Sequence, residues 1–128
     1  MLLATRQFAD ATVAAAAGRI DHLSAAAFEA ALTPLLQQTG ARQGALVLDF
    51  SGVDYISSVG LRVLMIAAKQ MREAQATLAL AALQDVVGEI IKISRFDRVL
   101  AVSPTVDDAL GRCSAAAQAS YQSRRPGP

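Results

Sequence analysis

Tryptophan is absent from this 128-residue chain, histidine and cysteine occur once each, and aromatic residues make up only 5% of it. The single cysteine, Cys113, excludes an intramolecular disulfide and a cysteine-rich tetrahedral zinc site. An excess of charge of either sign is also missing: twelve basic and eleven acidic side chains leave a formal charge of +1. Without a net positive field, direct nucleic-acid binding is not expected. No uncharged apolar stretch reaches the roughly 18 residues that a membrane span needs. Arg6 and Asp10 interrupt any secretory apolar region near the start, so the expected location is the cytoplasm. Neither a Walker motif nor a dinucleotide fingerprint occurs, and Gly52 and Gly60 are too sparse to cradle a phosphate.

What is present fits a folded domain. Hydrophobic residues make up 53% and charged residues 18%. Much of the hydrophobic share is alanine, which buries little area and suits short helices packed closely on a sheet. Leu2–Arg6 and Ala11–Ala17 read as strands separated by a turn at Phe8-Ala9-Asp10. Ser24 is placed to cap a helix over Ala25–Gln38, with Phe28, Leu32, Leu35 and Leu36 at helical spacing and Pro34 as a potential kink. Ala45–Phe50 is apolar on both faces, as a central covered strand would be, and Ser51–Ile56 reads as a loop.

Helical spacing returns over Val59–Arg72, through Leu61, Leu64, Met65 and Ala68. Ala76–Ala81 is another strand, and Asp85 can cap a helix over Val86–Ile93. Val99–Val102 is a last short strand. Ser103-Pro104 then opens a final helix to about Ala117, with Asp107 and Asp108 in its first turn. The order is that of an α/β fold, a mixed sheet of four to five strands covered by about four helices. One domain over residues 1–118 is expected, with a disordered tail over 119–128.

The most informative segment runs from Asp49 to Leu64, where a buried strand delivers two serines, Ser57 and Ser58, to a helix start. Either serine can simply cap the helix, for about 1 kcal/mol. Alternatively one of them carries a phosphate, because free N–H groups and a partial positive charge favour an anion there. A partner docked over that surface would then meet a strongly solvated charge, and binding would switch without unfolding.

The run Ser57-Ser58-Val59-Gly60-Leu61 resembles the Asp-Ser-Ser/Thr-Gly-Leu signature of STAS domains, especially bacterial anti-sigma factor antagonists. Ser57 stands where many members have aspartate, and Val59 replaces a second hydroxyl residue. Gly18-Arg19-Ile20-Asp21-His22 resembles the family's Gly-x-Leu/Ile-Asp loop, and Val86–Phe96 resembles the helix before its last strand. The resemblance spans about Arg6 to Leu110.

It implies a STAS fold and partner switching. The unphosphorylated protein would bind an anti-sigma factor serine kinase of the histidine-kinase-like ATPase fold, releasing the sigma factor. Phosphorylation would break that complex, and a PP2C-type phosphatase would restore it. The family's phosphoserine falls on Ser58, with Ser57 second. Asp21, His22, Asp54, Tyr55, Ser57, Ser58, Val59, Gly60 and Arg62 would form the partner surface, and any ATP or metal would belong to the partners.

The alternative is an unphosphorylated STAS subunit of a lipid-transporting ABC system or of a stressosome-like scaffold; a third class is a small-ligand-binding domain. No enzyme, metal site or cofactor is expected. A triad of His22, Asp21 and Ser58 lacks the Gly-x-Ser-x-Gly elbow, and the aspartates Asp21, Asp49 and Asp54 lack the acidic pair and lysine of receiver chemistry.

Overall fold

The computed structural model describes residues 3–124. Strands β1 (Ala4–Phe8) and β2 (Ala11–Ile20) form an antiparallel hairpin closed by Ala9, whose φ of 52° opens the turn. Then follow α1 (Ala25–Ala41), β3 (Ala45–Ile56), α2 (Ser58–Glu73), β4 (Thr77–Ala81), α3 (Asp85–Ile93), a 3-10 turn at Phe96–Arg98, β5 (Ala101–Ser103), α4 (Val106–Cys113) and α5 (Ala115–Arg124). The five strands lie in the order β1-β2-β3-β4-β5, and every pairing after the first is parallel. That is the mixed sheet with parallel later strands that the element order required.

Side chains alternate across a strand, so β3 feeds two cores. Leu46, Leu48 and Phe50 point into a layer with Phe28, Leu32, Leu64, Val87 and Ile91 from α1, α2 and α3. Ala45 and Val47 face the other way, joining Ala79, Ala81, Val106, Ala109, Leu110 and Ala117 beneath α4 and α5. The alanines of that second face leave room for α4 to approach closely. Phe28 and Phe50 meet edge to face at 6.2 Å in the first layer, and Phe8 and Tyr121 do so at 5.3 Å in the second. Among the described residues no buried side-chain nitrogen or oxygen lacks a hydrogen-bond partner, and no helix is long and apolar enough to cross a membrane.

Several sequence-based boundaries change. The expected loop Ser51–Ile56 is the second half of β3, because β2 also runs on, to Ile20, and satisfies its backbone through two register shifts. Gly52 allows that approach: a Cβ there would lie 3.1 Å from the Ala16 carbonyl oxygen. Helix α1 continues through Pro34 to Ala41. The residue capping α3 is Gln84, and Asp85 instead begins the helix.

The last helix starts later than expected. Ser103 remains in β5, and Thr105 is the cap, its Oγ1 accepting from the Asp108 N–H at 3.0 Å. That helix stops at Cys113, a half-buried thiol raised above its ordinary pKa by burial.

The expected tail from residue 119 is replaced over 119–124 by α5, and residues 125–128 lie outside the described part. Helix α5 is held to the hairpin at three points. Ser114 Oγ donates to Asp10 Oδ1 at 2.6 Å, Arg124 donates to the Gln7 carbonyl at 2.8 Å, and the Tyr121 ring meets Phe8. Alanine-rich and polar, Ala115–Arg124 has too weak an apolar stripe to announce itself; its helicity follows from docking.

The two layers should differ in weight. Phe28→Ala, at a fully buried site, should cost about 3–5 kcal/mol. Tyr121→Ala, at a half-buried site, should cost about 1–2 kcal/mol. Urea unfolding of both variants checks the ranking, which equal losses would refute.

Candidate partner surface at the start of helix α2

The site is assembled where β2 and β3 end together. Ile20 pairs with Ile56, and the Ser57 N–H donates to the Ile20 carbonyl at 2.7 Å. That bond ties the loop Asp21–Ser24 to the turn that starts α2. The sequence-predicted residues Asp21, His22, Ser57, Ser58, Val59 and Gly60 thereby come to one end of the sheet. Asp54 and Tyr55 are strand residues just before the turn, and Arg62 is one helical turn after Ser58.

The two serines have different jobs. Ser57 is extended (φ −86°, ψ 172°) and caps α2: its Oγ accepts from the Gly60 N–H at 3.2 Å, and its carbonyl accepts from the Leu61 N–H at 2.9 Å. Ser58 is the first helical residue and is exposed, and its hydroxyl has no hydrogen-bond partner among the described residues. Cap propensity alone does not separate these roles, since either serine is a good cap.

Gly60 is set by close approach. A Cβ at this position would lie 2.8 Å from both Ile20 Cγ2 and Ile56 Cγ1. The first turn of α2 therefore sits directly on the paired strand ends. Beyond it the helix buries Leu61, Val63, Leu64, Ala67, Ala68 and Met71. Its outer face shows Ser58, Val59, Arg62, Met65, Ile66 and Lys69, an apolar patch edged by basic groups. Met65, which shares helical spacing with Leu61, Leu64 and Ala68, is half exposed while those three are buried.

The neighbouring loop is built by Asp21. Its Oδ1 accepts from the N–H groups of Leu23 (3.0 Å) and Ser24 (3.1 Å) and from the Ser24 hydroxyl (3.1 Å). The expected cap role of Ser24 changes accordingly. Its Oγ accepts from the Asp21 N–H, and its single proton is shared between the Arg19 carbonyl (2.7 Å) and Asp21 Oδ1, bracing the loop and making no cap bond to α1. Arg19 pairs with Asp21 Oδ2 at 3.6 Å and lies 4.4 Å over the Tyr55 ring. These bonds, first the one from the Ser24 N–H, hold the Asp21 carboxyl below its ordinary pKa against the opposing effect of desolvation.

His22 is exposed. Leu23, which the sequence reading passed over, is 81% exposed at the loop tip. A leucine in an otherwise polar turn was the available signal. Asp49 accepts from the Ser51 N–H at 3.0 Å, a local strand contact. Among the described residues no group of three or more His, Cys, Asp or Glu side chains could hold a metal ion.

Residues 3–109 match the STAS domain family. The chain belongs to that family. This STAS domain is 45% identical over 58 residues to BtrV of Bordetella bronchiseptica, named as an anti-sigma factor antagonist; the match takes in 45% of this chain and 50% of BtrV. The chain thus spans about half the length of this curated relative. In structure it is similar to an anti-sigma factor antagonist from Mycobacterium paratuberculosis, at 26% identity and a TM-score of 0.76 over 87% of this chain and 92% of that one. It also shares its fold with the Bacillus cell fate determinant SpoIIAA in the phosphorylated form, at 14% identity and a TM-score of 0.63 over 86% of this chain and 97% of that one.

Two outcomes are expected of this geometry. Gly60→Ala should cost about 1–3 kcal/mol in urea unfolding, because backbone and two isoleucines must shift; an unchanged midpoint would show that the contact yields freely. Asp21, with its folded pKa lowered, adds stability that is complete above the ordinary carboxylate value of about 3.9 and is lost as the pH falls through the folded value. Acidification from neutral pH to below that value should therefore lower the urea midpoint more for wild type than for Asp21→Asn.

Proposed function

We propose that this STAS domain is an anti-sigma factor antagonist whose partner surface is switched by phosphorylation of Ser58. The observation that carries this reading is the division of labour between the serines. The Ser57 hydroxyl is engaged as the cap of α2, and that of Ser58 is exposed and unengaged one residue later. A kinase can reach Ser58 without opening the helix. The relatives' names support the regulatory role, and the phosphorylated state of SpoIIAA supports modification within this fold.

The surroundings explain how a phosphate would act. At the first helical position it stands beside backbone N–H groups that have no intrahelical acceptor and at the positive end of the helix dipole. Arg62, four residues on, lies on the same face and can pair with it. The domain therefore tolerates the charge. A partner packed over Val59, Met65, Ile66 and Leu23 would not, because a dianion inside an apolar contact must be desolvated.

In this reading the unmodified protein binds an anti-sigma factor serine kinase and releases the sigma factor. Phosphorylation dissociates the pair, and a PP2C-type phosphatase reverses it. The chain acts as ligand and substrate, with catalysis supplied by its partners.

Intact-mass and peptide mass spectrometry of protein from its native cells is the test. A phosphatase-sensitive gain of about 80 Da should localise to Ser58 and vanish in Ser58→Ala. Ser57→Ala should keep the modification and lose about 1 kcal/mol of stability with its cap. Persistent absence of the added mass across growth conditions would overturn the switch.

A further inference from the structure

Helix α3 has two apolar faces, and only one is covered. Val87 and Ile91, four residues apart, are fully buried against the sheet. Val86, Ile90 and Ile93 form a second stripe with spacings of four and three residues, the geometry with which one helix packs on another. Val86 is 58% exposed, Ile93 is 76% exposed, and Ile90 between them is half buried. A single exposed apolar residue is ordinary, but three in register on a nine-residue helix form a contact surface.

The charges beside the stripe indicate what covers it. Asp85 and Glu89 occupy the first half of α3 and Lys92 the last turn, all three exposed. The one ion pair found among the described residues joins Arg19 and Asp21, so none of these three is held in an ion pair within the described chain. A helix that is acidic at its start and basic at its end complements its own reverse.

We propose that α3 is a self-association surface whose occupant is α3 of a second copy of this chain, packed antiparallel about a two-fold axis near Ile90. Val86 of each copy then meets Ile93 of the other, and the two Ile90 side chains meet at the axis. In that register Lys92 stands level with position 87 of the other copy, about 3 Å along the helix from both Asp85 and Glu89, which share its flank. All three charges lie on the same flank of the stripe, where an antiparallel two-fold pair brings like flanks together. A parallel two-fold pair would set this flank against the opposite one, where α3 carries no charge, and would forgo that electrostatic complementarity. The surface lies on α3 and does not involve Ser58 or the outer face of α2, so it stands or falls independently of the phosphorylation switch. The contact is small, well below the roughly 1,200 Å² of a stable interface, and the dimer it makes is weak and exchanging.

Sedimentation equilibrium of the full chain between about 10 μM and 1 mM tests this, a window set for weak association. The average mass should rise with concentration toward that of a dimer. Ile93→Asp, at an exposed site that leaves the fold intact by circular dichroism, should remain monomeric throughout. Lys92→Glu should weaken association about tenfold or more. An equimolar mixture of Lys92→Glu with Glu89→Lys should associate more tightly than Lys92→Glu alone. In the mixed pair the carboxylate introduced in one chain faces the ammonium introduced in the other, and the second charge cluster keeps its native Lys92 and Glu89. A monomer at every concentration, association unaffected by Ile93→Asp, or a mixture no tighter than Lys92→Glu alone would each overturn the proposal.

Discussion

The bond from the Ser57 N–H to the Ile20 carbonyl fastens the end of β3 to the end of β2, and the candidate site depends on it. The two strands pair well past the point where β4 ends its own pairing, at Asp49 and Ala81, and carry their register through two irregularities to Ile20 and Ile56. Each strand then turns at the same level, one into the Asp21 loop and the other into α2. Because Gly60 lacks a Cβ, the first turn of α2 rests on the two isoleucines instead of standing off them. Loop, helix start and strand ends are therefore packed and bonded together as one unit. Such preorganisation fixes where the exposed Ser58 stands relative to the Asp21 loop.

Two adjacent serines could each cap α2, and geometry gives that role to one of them. Ser57 satisfies an otherwise orphaned N–H, which leaves Ser58 free of structural duty. The Asp21 loop uses the same economy of local bonds: one carboxylate and one hydroxyl satisfy several backbone groups and raise Leu23 into solvent. With the outer side of α2 it makes a surface apolar at its centre and basic at its edge.

The two layers of the sheet show how differently the same fold can treat apolar side chains. In the second layer small alanines let α4 and α5 close over β1 and β3, and the last helix is secured by a ring contact and side-chain hydrogen bonds. In the first layer α3 meets the sheet with only two fully buried side chains and leaves three others facing outward or half covered. One helix is thus sealed by polar ties, and the other retains an open apolar stripe flanked by charge.

Periodicity, cap residues and turn chemistry are local properties, and they determined most of the element order: the hairpin, the α/β alternation, the helix after Ser57-Ser58 and the parallel later strands. They also placed Ser57 and Ser58 at a helix start, and the resemblance to STAS domains added Asp21 and Gly60. Only the tertiary structure decided the rest. Ser51–Ile56 is strand because β2 lies alongside to receive its backbone bonds, and Ala115–Arg124 is helix because Phe8, Asp10 and Gln7 hold it. Ser57 rather than Ser58 is the cap, and Ser24 braces a loop, because each hydroxyl bonds to backbone groups positioned by neighbouring strands and turns. Met65 faces out for a related reason: helical spacing defines a stripe, but which side of that stripe meets the sheet depends on how the helix is seated. Spacing reports which residues share a face; only packing determines what that face touches.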